Sequence, residues 1–274
     1  MLVAVLNDTH CGVRNSSDIF MEYQERFYRD VFFPYLLENN IDQILHLGDY
    51  YDNRKTINLK ALHHNRRVFL AKLREYGIKM DIFPGNHDTF YKNTNNLNSL
   101  KELMGHYINE VDIIMEPTVR EYGDVKFGLV PWICAENEKQ TLEFLDNCGA
   151  DVIAGHFELG GFEMDAGHVC RDGMDAKPLT RFELVLSGHF HTKSNQGNIH
   201  YLGSQMEFMW SDAHDAKYFH VYDTDSRELI AIQNTETIFH KIYYDESQVN
   251  HFEDLSYLDN KFVKVIVTNR SDMK

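Results

Sequence analysis

Leu2-Val3-Ala4-Val5-Leu6-Asn7-Asp8-Thr9-His10 opens the chain, and the rest is read outward from this stretch. Five apolar residues run into an acid and an imidazole two positions apart. A short apolar run ended by polar residues reads as a buried strand, and residues i and i+2 at its tip share a face. The arrangement returns further along. Ile44-Leu45-His46-Leu47 leads into Gly48-Asp49, and Met80-Asp81-Ile82-Phe83 leads toward Gly85-Asn86-His87-Asp88. Val152-Ile153-Ala154 precedes Gly155-His156, and Leu184-Val185-Leu186 comes just before Gly188-His189-Phe190-His191. Glycine at such a turn lets the backbone swing sharply and leaves the next side chain at the strand tip. The pattern places all five motifs at the carboxyl ends of strands in one sheet, the edge where α/β proteins bind ligands.

The side chains so gathered are a ligand set for two adjacent divalent metals. Imidazole suits transition metals and carboxylate or amide oxygen suits Mg and Mn, so a mixed N/O set favours transition metals over Ca or Mg alone. Two ions about 3.5–4 Å apart activate water for attack on a phosphate ester. Asp8 and His10 reach one ion from one strand tip, and Asp49 has two oxygens with which to bridge. Asn86 offers a neutral amide oxygen, and His156, His189 and His191 close the shells from later loops. His87 follows ligand Asn86, points the other way and faces substrate as a general acid or phosphate-stabilising group. Asp88 is placed to orient His87 through its ring N–H. A single DxH or GD arises often by chance; five motifs in order, each after an apolar strand, do not. His46, His63, His64, His106, His168, His214 and His220 lack such a context and read as surface or packing residues. Cys11 reads as packing in a tight turn, and Trp132 and Trp210 as core. Arg54-Lys55 reads equally as a phosphate contact or a solvated loop.

The chain's 274 residues hold one large domain, or a large one and a small one. Its hydrophobic content of 43% supports a core. No run approaches the ~18–20 apolar residues of a membrane span, and an N-terminus that enters a strand at once does not read as a signal peptide. Four cysteines without a CxxC fit a reducing, cytoplasmic setting. The net charge of −15 argues against a free-standing nucleic-acid binder with a basic face. It leaves room for a nucleic-acid enzyme, because bound metals and a partner subunit can supply positive charge.

Amphipathic patterns predict helices over Glu22–Glu38, Asn58–Tyr76 with a stop at Gly77, Asn98–Gly105 and Glu136–Asp146. Their alternation with strands up to about residue 110 indicates largely parallel strands. The second half is richer in strand, including a hairpin of Tyr218–Tyr222 with Glu228–Gln233. The whole reads as two stacked sheets flanked by helices. After residue 238, strand-like Phe239–Tyr244 and Phe262–Val267 flank an acidic stretch, Asp245–Asp259, and look like the start of a small appended module.

The ordered pattern DxH, GD, GNHD, GH, GHxH over residues 8–191 resembles the calcineurin-like metallophosphoesterases. Asp8-Thr9-His10-Cys11-Gly12, Gly48-Asp49-Tyr50-Tyr51-Asp52-Asn53-Arg54-Lys55 and the tail look most like the SbcD or Mre-type nucleases of double-strand-break repair. Among these, the recombination endonuclease subunits of T-even-like phages are most similar. The resemblance implies an α/β (α+β) four-layer sandwich of two mixed β-sheets flanked by helices. It implies a nuclease domain over residues 1–238 and a partial capping, DNA-recognition module over 239–274. It further implies one metal on Asp8, His10, Asp49 and His191, and a second on Asp49, Asn86, His156 and His189. Mn²⁺ as the working ion, DNA as substrate and His87 as the catalytic histidine follow from it. So do a homodimer through helices near residues 58–76 and 97–106 and an SbcC/Rad-type ATPase partner. Many relatives carry His where this chain has Asp52, and relatives continue to an ATPase-docking segment where this chain stops at Lys274.

The leading expectation is a Mn-dependent DNA exo- and endonuclease acting in recombination and repair. The alternative is a phosphoesterase for small molecules or phosphoproteins, which would not need the tail. A recombination scaffold with a secondary site is a third reading, and completeness of the ligand set argues against it.

Overall fold

The first strand, β1 (Leu2–Leu6), is covered on both faces. Val3 and Val5 join a core shared with a second sheet, while Ala4 and Leu6 join one shared with helices. Burial on both sides is why the run shows no polar alternation. The computed structural model describes residues 1–165, 167–247 and 254–270. Parts of the acidic stretch and of the expected capping module lie outside the described residues.

Strands β2 (Gln43–His46), β3 (Lys79–Ile82) and β4 (Val111–Ile113) extend β1 in parallel, as the strand–helix alternation predicts. β5 (Thr118–Tyr122) and β6 (Val125–Val130) form a hairpin, and β7 (Val152–Gly155) lies parallel to β6. A small ribbon of β8 (Glu163–Asp165) and β9 (His168–Val169) follows. β10 (Leu184–Ser187) pairs in parallel with β7, with β11 (Ser194–Gln196) and β12 (Ile199–Tyr201) beyond it. The hairpin of β13 (Lys217–Asp223) and β14 (Glu228–Asn234) then returns antiparallel to β1. The first sheet therefore runs β14-β13-β1-β2-β3-β4 and the second β11-β12-β10-β7-β6-β5.

Between the sheets, Val3, Val5, Leu45, Leu47 and Phe83 meet Phe127, Leu129, Val152, Ala154 and Leu186. Helices α1 (18–38) and α2 (59–76) cover the outer face of the first sheet. Asn58 caps α2 by accepting from the Lys60 N–H, and Gly77, at φ 69, ends it in the left-handed region. α1 starts four residues before the periodicity predicts and widens to π spacing at Phe27–Phe32, just before Pro34. Proline cannot donate to the preceding turn, and such a gap loosens the ladder there. The short α3 (Ser99–Leu103) follows β3, and α4 (Glu138–Asn147) covers the outer face of the second sheet. The layers are helix, sheet, sheet, helix.

The five motifs are not on one sheet. Three follow β1, β2 and β3, and two follow β7 and β10 of the facing sheet. One sheet edge presents side chains in a row, whereas two edges that face each other surround a point.

The tail pairs β15 (Phe239–Asp245) in parallel with β16 (Phe262–Asn269). A lone two-stranded ribbon is marginal, and this one is tied down. Phe239 and Phe262 pack on Phe20 of α1, and Phe239 lies 4.8 Å from Trp210. The buried Glu207 carboxylate accepts from the Ile238 and Phe239 amides at 2.6 and 2.9 Å. All four cysteines are free thiols, and no described helix is long and apolar enough to cross a membrane.

Candidate metal centre

Three of the five site loops, those after β1, β2 and β10, leave their strands through a bend that few residues adopt. Asp8, His10, Asp49 and His189 have φ of 47, 43, 54 and 85°. Non-glycine residues in this region carry strain of about 1–3 kcal/mol each, held by the surrounding structure. The bends turn side chains from the strand tips into one point between the sheets. Glycine clears the space. A Cβ on Gly48 would fall 2.6 Å from the Gly85 nitrogen, and one on Gly85 would collide with the backbone and carboxylate of Asp49.

Two groups of donor atoms result, each with its atoms within 4.8 Å of one another: Asp8, His10 and His191, and Asp49, His156 and His189. In the first, the Nε2 atoms of His10 and His191 stand 3.0 Å apart, and each is 3.8 Å from Asp8 Oδ1. That oxygen is buried and meets no hydrogen-bond donor among the described residues. A buried carboxylate oxygen left unpartnered beside two converging imidazoles fits a cation and little else. In the second group, Asp49 Oδ2 lies 3.3 Å from His156 Nε2, which is 3.0 Å from Asn86 Oδ1. Asp49 Oδ2 is also 4.0 Å from His10 Nε2, so this carboxylate stands between the groups. His10, Asp49 and His87 form a third group of suitable spacing.

The charges are unevenly placed. Burial pushes Asp8 up, against the pull of His156 and His191. Burial is the largest influence on Asp49 and raises it, but His156 together with His10 and His87 outweighs it and leaves the carboxyl below its usual range. Burial lowers His156, yet Asp49 beside it raises the imidazole to about 9. His10 and His189 are pushed down, first by burial, His189 to about 3. The centre thus holds an ion pair next to neutral imidazoles, which are the form that ligates metal.

Ring tautomers are set from behind. His156 Nδ1 meets the Leu47 carbonyl at 2.7 Å, leaving Nε2 to the centre. His87 Nδ1 meets the Asp52 carbonyl at 2.6 Å, while the His87 amide donates to Asp49 Oδ1 at 2.7 Å.

A family model of calcineurin-like phosphoesterases matches residues 1–193, which carry every one of these side chains. The chain belongs to the calcineurin-like phosphoesterase family. Exonuclease subunit 1 of Enterobacteria phage T4 is 31% identical over 268 residues, 98% of this phosphoesterase and 77% of that protein. The solved structures it resembles include a novel archaeal phosphodiesterase, at 13% identity and TM-score 0.44 over 85% of this chain and 100% of that one. Another, from Thermus thermophilus, gives 10% identity and TM-score 0.47 over 85% and 98%.

The structure of this phosphoesterase brings together Asp8, His10, Asp49, Asn86, His87, His156, His189 and His191. It separates Asp88 from them. The Asp88 carboxylate accepts from the amides of Gly85, Tyr50 and Tyr51 at 3.0–3.2 Å, and the Asp52 carbonyl occupies the His87 ring nitrogen assigned to it. A residue next in sequence on a tight turn points away from its neighbour, so Asp88 braces the loops beneath the centre. Trp132 is not core either. It is half-buried with ring centroids 5.9 Å from His156 and 5.4 Å from His189, forming a wall of the centre. Arg54 reaches back to the Asn86 carbonyl at 2.6 Å, and His46 is fully buried under the site with Nε2 3.1 Å from Thr9 Oγ1.

Further residues of the site carry no motif. Asn7 Nδ2 donates to Asp8 Oδ2 at 2.6 Å, and Gln205 Nε2 reaches the Asp8 carbonyl at 3.4 Å. The buried Lys217 donates to the His191 carbonyl at 3.0 Å and pairs with Asp212 and Asp215. Asp212 in turn accepts from the Phe208 and Met209 amides, and the Phe208 ring stands edge-on to His10 and His191. Only Asn7, beside Asp8, had a sequence signal. A lone Lys in a strand has none.

Proposed function

We propose that this phosphoesterase is a Mn²⁺-dependent DNA nuclease that hydrolyses phosphodiester bonds. The observation that carries the reading is the extent of similarity to the phage exonuclease subunit. It covers 98% of this chain, so it continues beyond the catalytic match at residue 193 into the ribbon of β15 and β16. A phosphatase for small esters has no need of that addition. We assign Asp8, His10, Asp49 and His191 to one ion and Asp49, Asn86, His156 and His189 to the other. When bound, two such ions supply a hydroxide nucleophile and hold the phosphate oxygens.

The chain's own groups do the rest. Asp49 stands between the two donor groups and keeps them in register. Leu47 holds His156 in the tautomer that turns Nε2 inward. His87, half-buried at the mouth with Nδ1 on the Asp52 carbonyl, has its other ring nitrogen for a substrate oxygen. There it donates a proton or a hydrogen bond to the phosphate as it gains charge. Residues 239–274 serve as a partial capping module, a second copy completes a homodimer, and an SbcC/Rad-type ATPase is the partner in DNA repair or recombination.

The competing reading, a phosphoesterase for small or protein phosphoesters, draws on the net charge of −15, which repels a polyanion. One assay separates them. The protein with Mn²⁺ or Mg²⁺ is offered linear duplex DNA, hairpin DNA, an aryl phosphodiester and a phosphopeptide, with Asp49→Asn as control. DNA cleavage lost in Asp49→Asn is the expected result; turnover of the phosphopeptide or aryl ester without DNA cleavage overturns it.

A further inference from the structure

His10 has two ring nitrogens, and only one faces the centre. Its Nε2 stands 3.0 Å from His191 Nε2, 3.8 Å from Asp8 Oδ1 and 4.0 Å from Asp49 Oδ2. Its Nδ1 is on the far edge of the ring, buried and without a hydrogen-bond partner among the described residues. A neutral imidazole carries one N–H. When Nε2 binds a cation, that proton is on Nδ1, where it needs an acceptor. One carboxylate lies toward it: Asp52 Oδ1, 3.6 Å away.

We propose that Asp52 is a positioning residue whose carboxylate accepts the His10 Nδ1–H and so fixes Nε2 toward the ion site shared with Asp8 and His191. The proposal rests on the assignment of His10 as a ligand and deepens it. In the facing group the same task falls to a backbone carbonyl, that of Leu47 behind His156 at 2.7 Å. A carboxylate does more than a carbonyl. Its charge makes the imidazole a stronger donor as well as orienting it. The two halves of the centre thus differ in what backs their histidines, and only the His10 half depends on the Asp52 side chain.

Backbone pairing places Asp52 there. Beyond the ends of β1 and β2 the two loops continue as a short ladder. The His10 amide donates to the Asp49 carbonyl at 3.1 Å, the Cys11 amide to the Tyr50 carbonyl at 2.8 Å and the Asp52 amide to the Cys11 carbonyl at 3.1 Å. The His10 ring has little freedom to turn elsewhere, because His87, His191 and Phe208 meet it edge-on with centroids 5.0, 5.0 and 5.3 Å away. The gap of 3.6 Å is an ion-pair distance, longer than the N···O separation of about 2.7–3.2 Å in a hydrogen bond. The Asp52 side chain is 31% exposed, so packing does not lock it and the carboxylate has room to close. Its backbone carbonyl independently holds His87 Nδ1 at 2.6 Å. A substitution of the side chain therefore tests the carboxylate and spares that contact.

The test uses the full chain with Mn²⁺ alone as the probe. Calorimetric titration of Asp52→Ala is expected to show one of the two Mn²⁺ binding events weakened about 10–100-fold, the range for a group behind a metal ligand, and the other changed by less than about twofold. Asp52→Asn keeps the shape and an acceptor oxygen without the charge, and is expected to weaken the same event about threefold. It also carries the test if the alanine variant unfolds early. With Zn²⁺ at saturation, the His10 Nδ1–H proton is expected to exchange slowly in the NMR spectrum of the wild type and to be lost to rapid exchange in Asp52→Ala. Unchanged Mn²⁺ affinity, or equal weakening of both events, overturns the proposal. So does a fall in kcat with affinity and the His10 signal unchanged, which makes Asp52 a group that meets substrate. His10→Ala separates this proposal from the reading beneath it. Loss of one ion in that variant keeps His10 a ligand even when Asp52→Ala changes nothing. Two ions bound as in wild type overturn the ligand assignment and this proposal together.

Discussion

His87 and Asp88 are neighbours in sequence with separate tasks. With Nδ1 of His87 held by the Asp52 carbonyl, His87→Ala removes the group proposed to face substrate and leaves the backbone alone. Its turnover is expected to drop by about 10²–10⁴, the range for a positioned acid–base group, with metal content by elemental analysis unchanged. Metal loss instead would move His87 among the ligands, as its spacing to His10 and Asp49 allows. Asp88→Ala leaves the amides of Gly85, Tyr50 and Tyr51 buried without an acceptor. Each such loss costs about 1–3 kcal/mol, so thermal unfolding should come earlier and metal affinity should fall with it, unlike in His87→Ala. At His156 the sign of a pH effect is fixed. Asp49 holds the imidazole at about 9, so it is protonated at neutral pH, and metal needs it neutral. Metal uptake should release about one proton from this ring, and affinity should weaken as pH falls below about 9. Calorimetry in buffers of different ionisation enthalpy measures that proton; an enthalpy independent of buffer would exclude it.

The strand β13 carries two residues that belong to no apolar stripe. Lys217 is buried and ties the His191 carbonyl to Asp212 and Asp215. Lys217→Ala leaves Asp212 buried without its cation, and breaking a buried pair in this way costs about 3–5 kcal/mol. Chemical denaturation of the variant reads that loss directly. His220 is buried with both ring nitrogens unpartnered among the described residues, and burial pushes it down to about 3. Unfolded, it titrates near 6.5, so between about 6.5 and 3 only the unfolded chain binds this proton. Its contribution to stability is complete above about 6.5 and declines as pH falls, by up to about 1.4 kcal/mol per pH unit. His220→Phe should flatten the melting temperature against pH across that window. A slope identical to wild type would assign the acid sensitivity to other groups.

Across the whole molecule, 42 acidic residues face 27 basic ones. A chain at −15 meets DNA with repulsion outside its metal centre. The isolated protein should bind DNA weakly and with a shallow salt dependence, because the slope is about −0.9 per neutralised phosphate. If the proposed nuclease reading and its ATPase partner hold, a partner with a basic DNA-facing surface should raise affinity and steepen the slope. Fluorescence anisotropy across a salt series, with and without that partner, measures both. Steep dependence for the isolated chain would mean a local basic groove beneath the net charge.

The amino-acid sequence by itself determined the strand-tip positions of Asp8, Asp49, His87, His156 and His189, because an apolar run, a turn and a donor atom are properties of a few adjacent residues. It also determined two stacked sheets and the mixed imidazole, carboxylate and amide chemistry of the donor atoms that converge. The tertiary structure decided that the five motifs divide between facing sheets, and that Asp52, not Asp88, holds the His87 ring. It alone brought Trp132 to the wall of the centre and Lys217 beneath His191. These pairings join residues 26 to 57 positions apart in sequence. No local periodicity encodes such a distance; it is set when the two sheets pack and every side chain between them must find room or a partner.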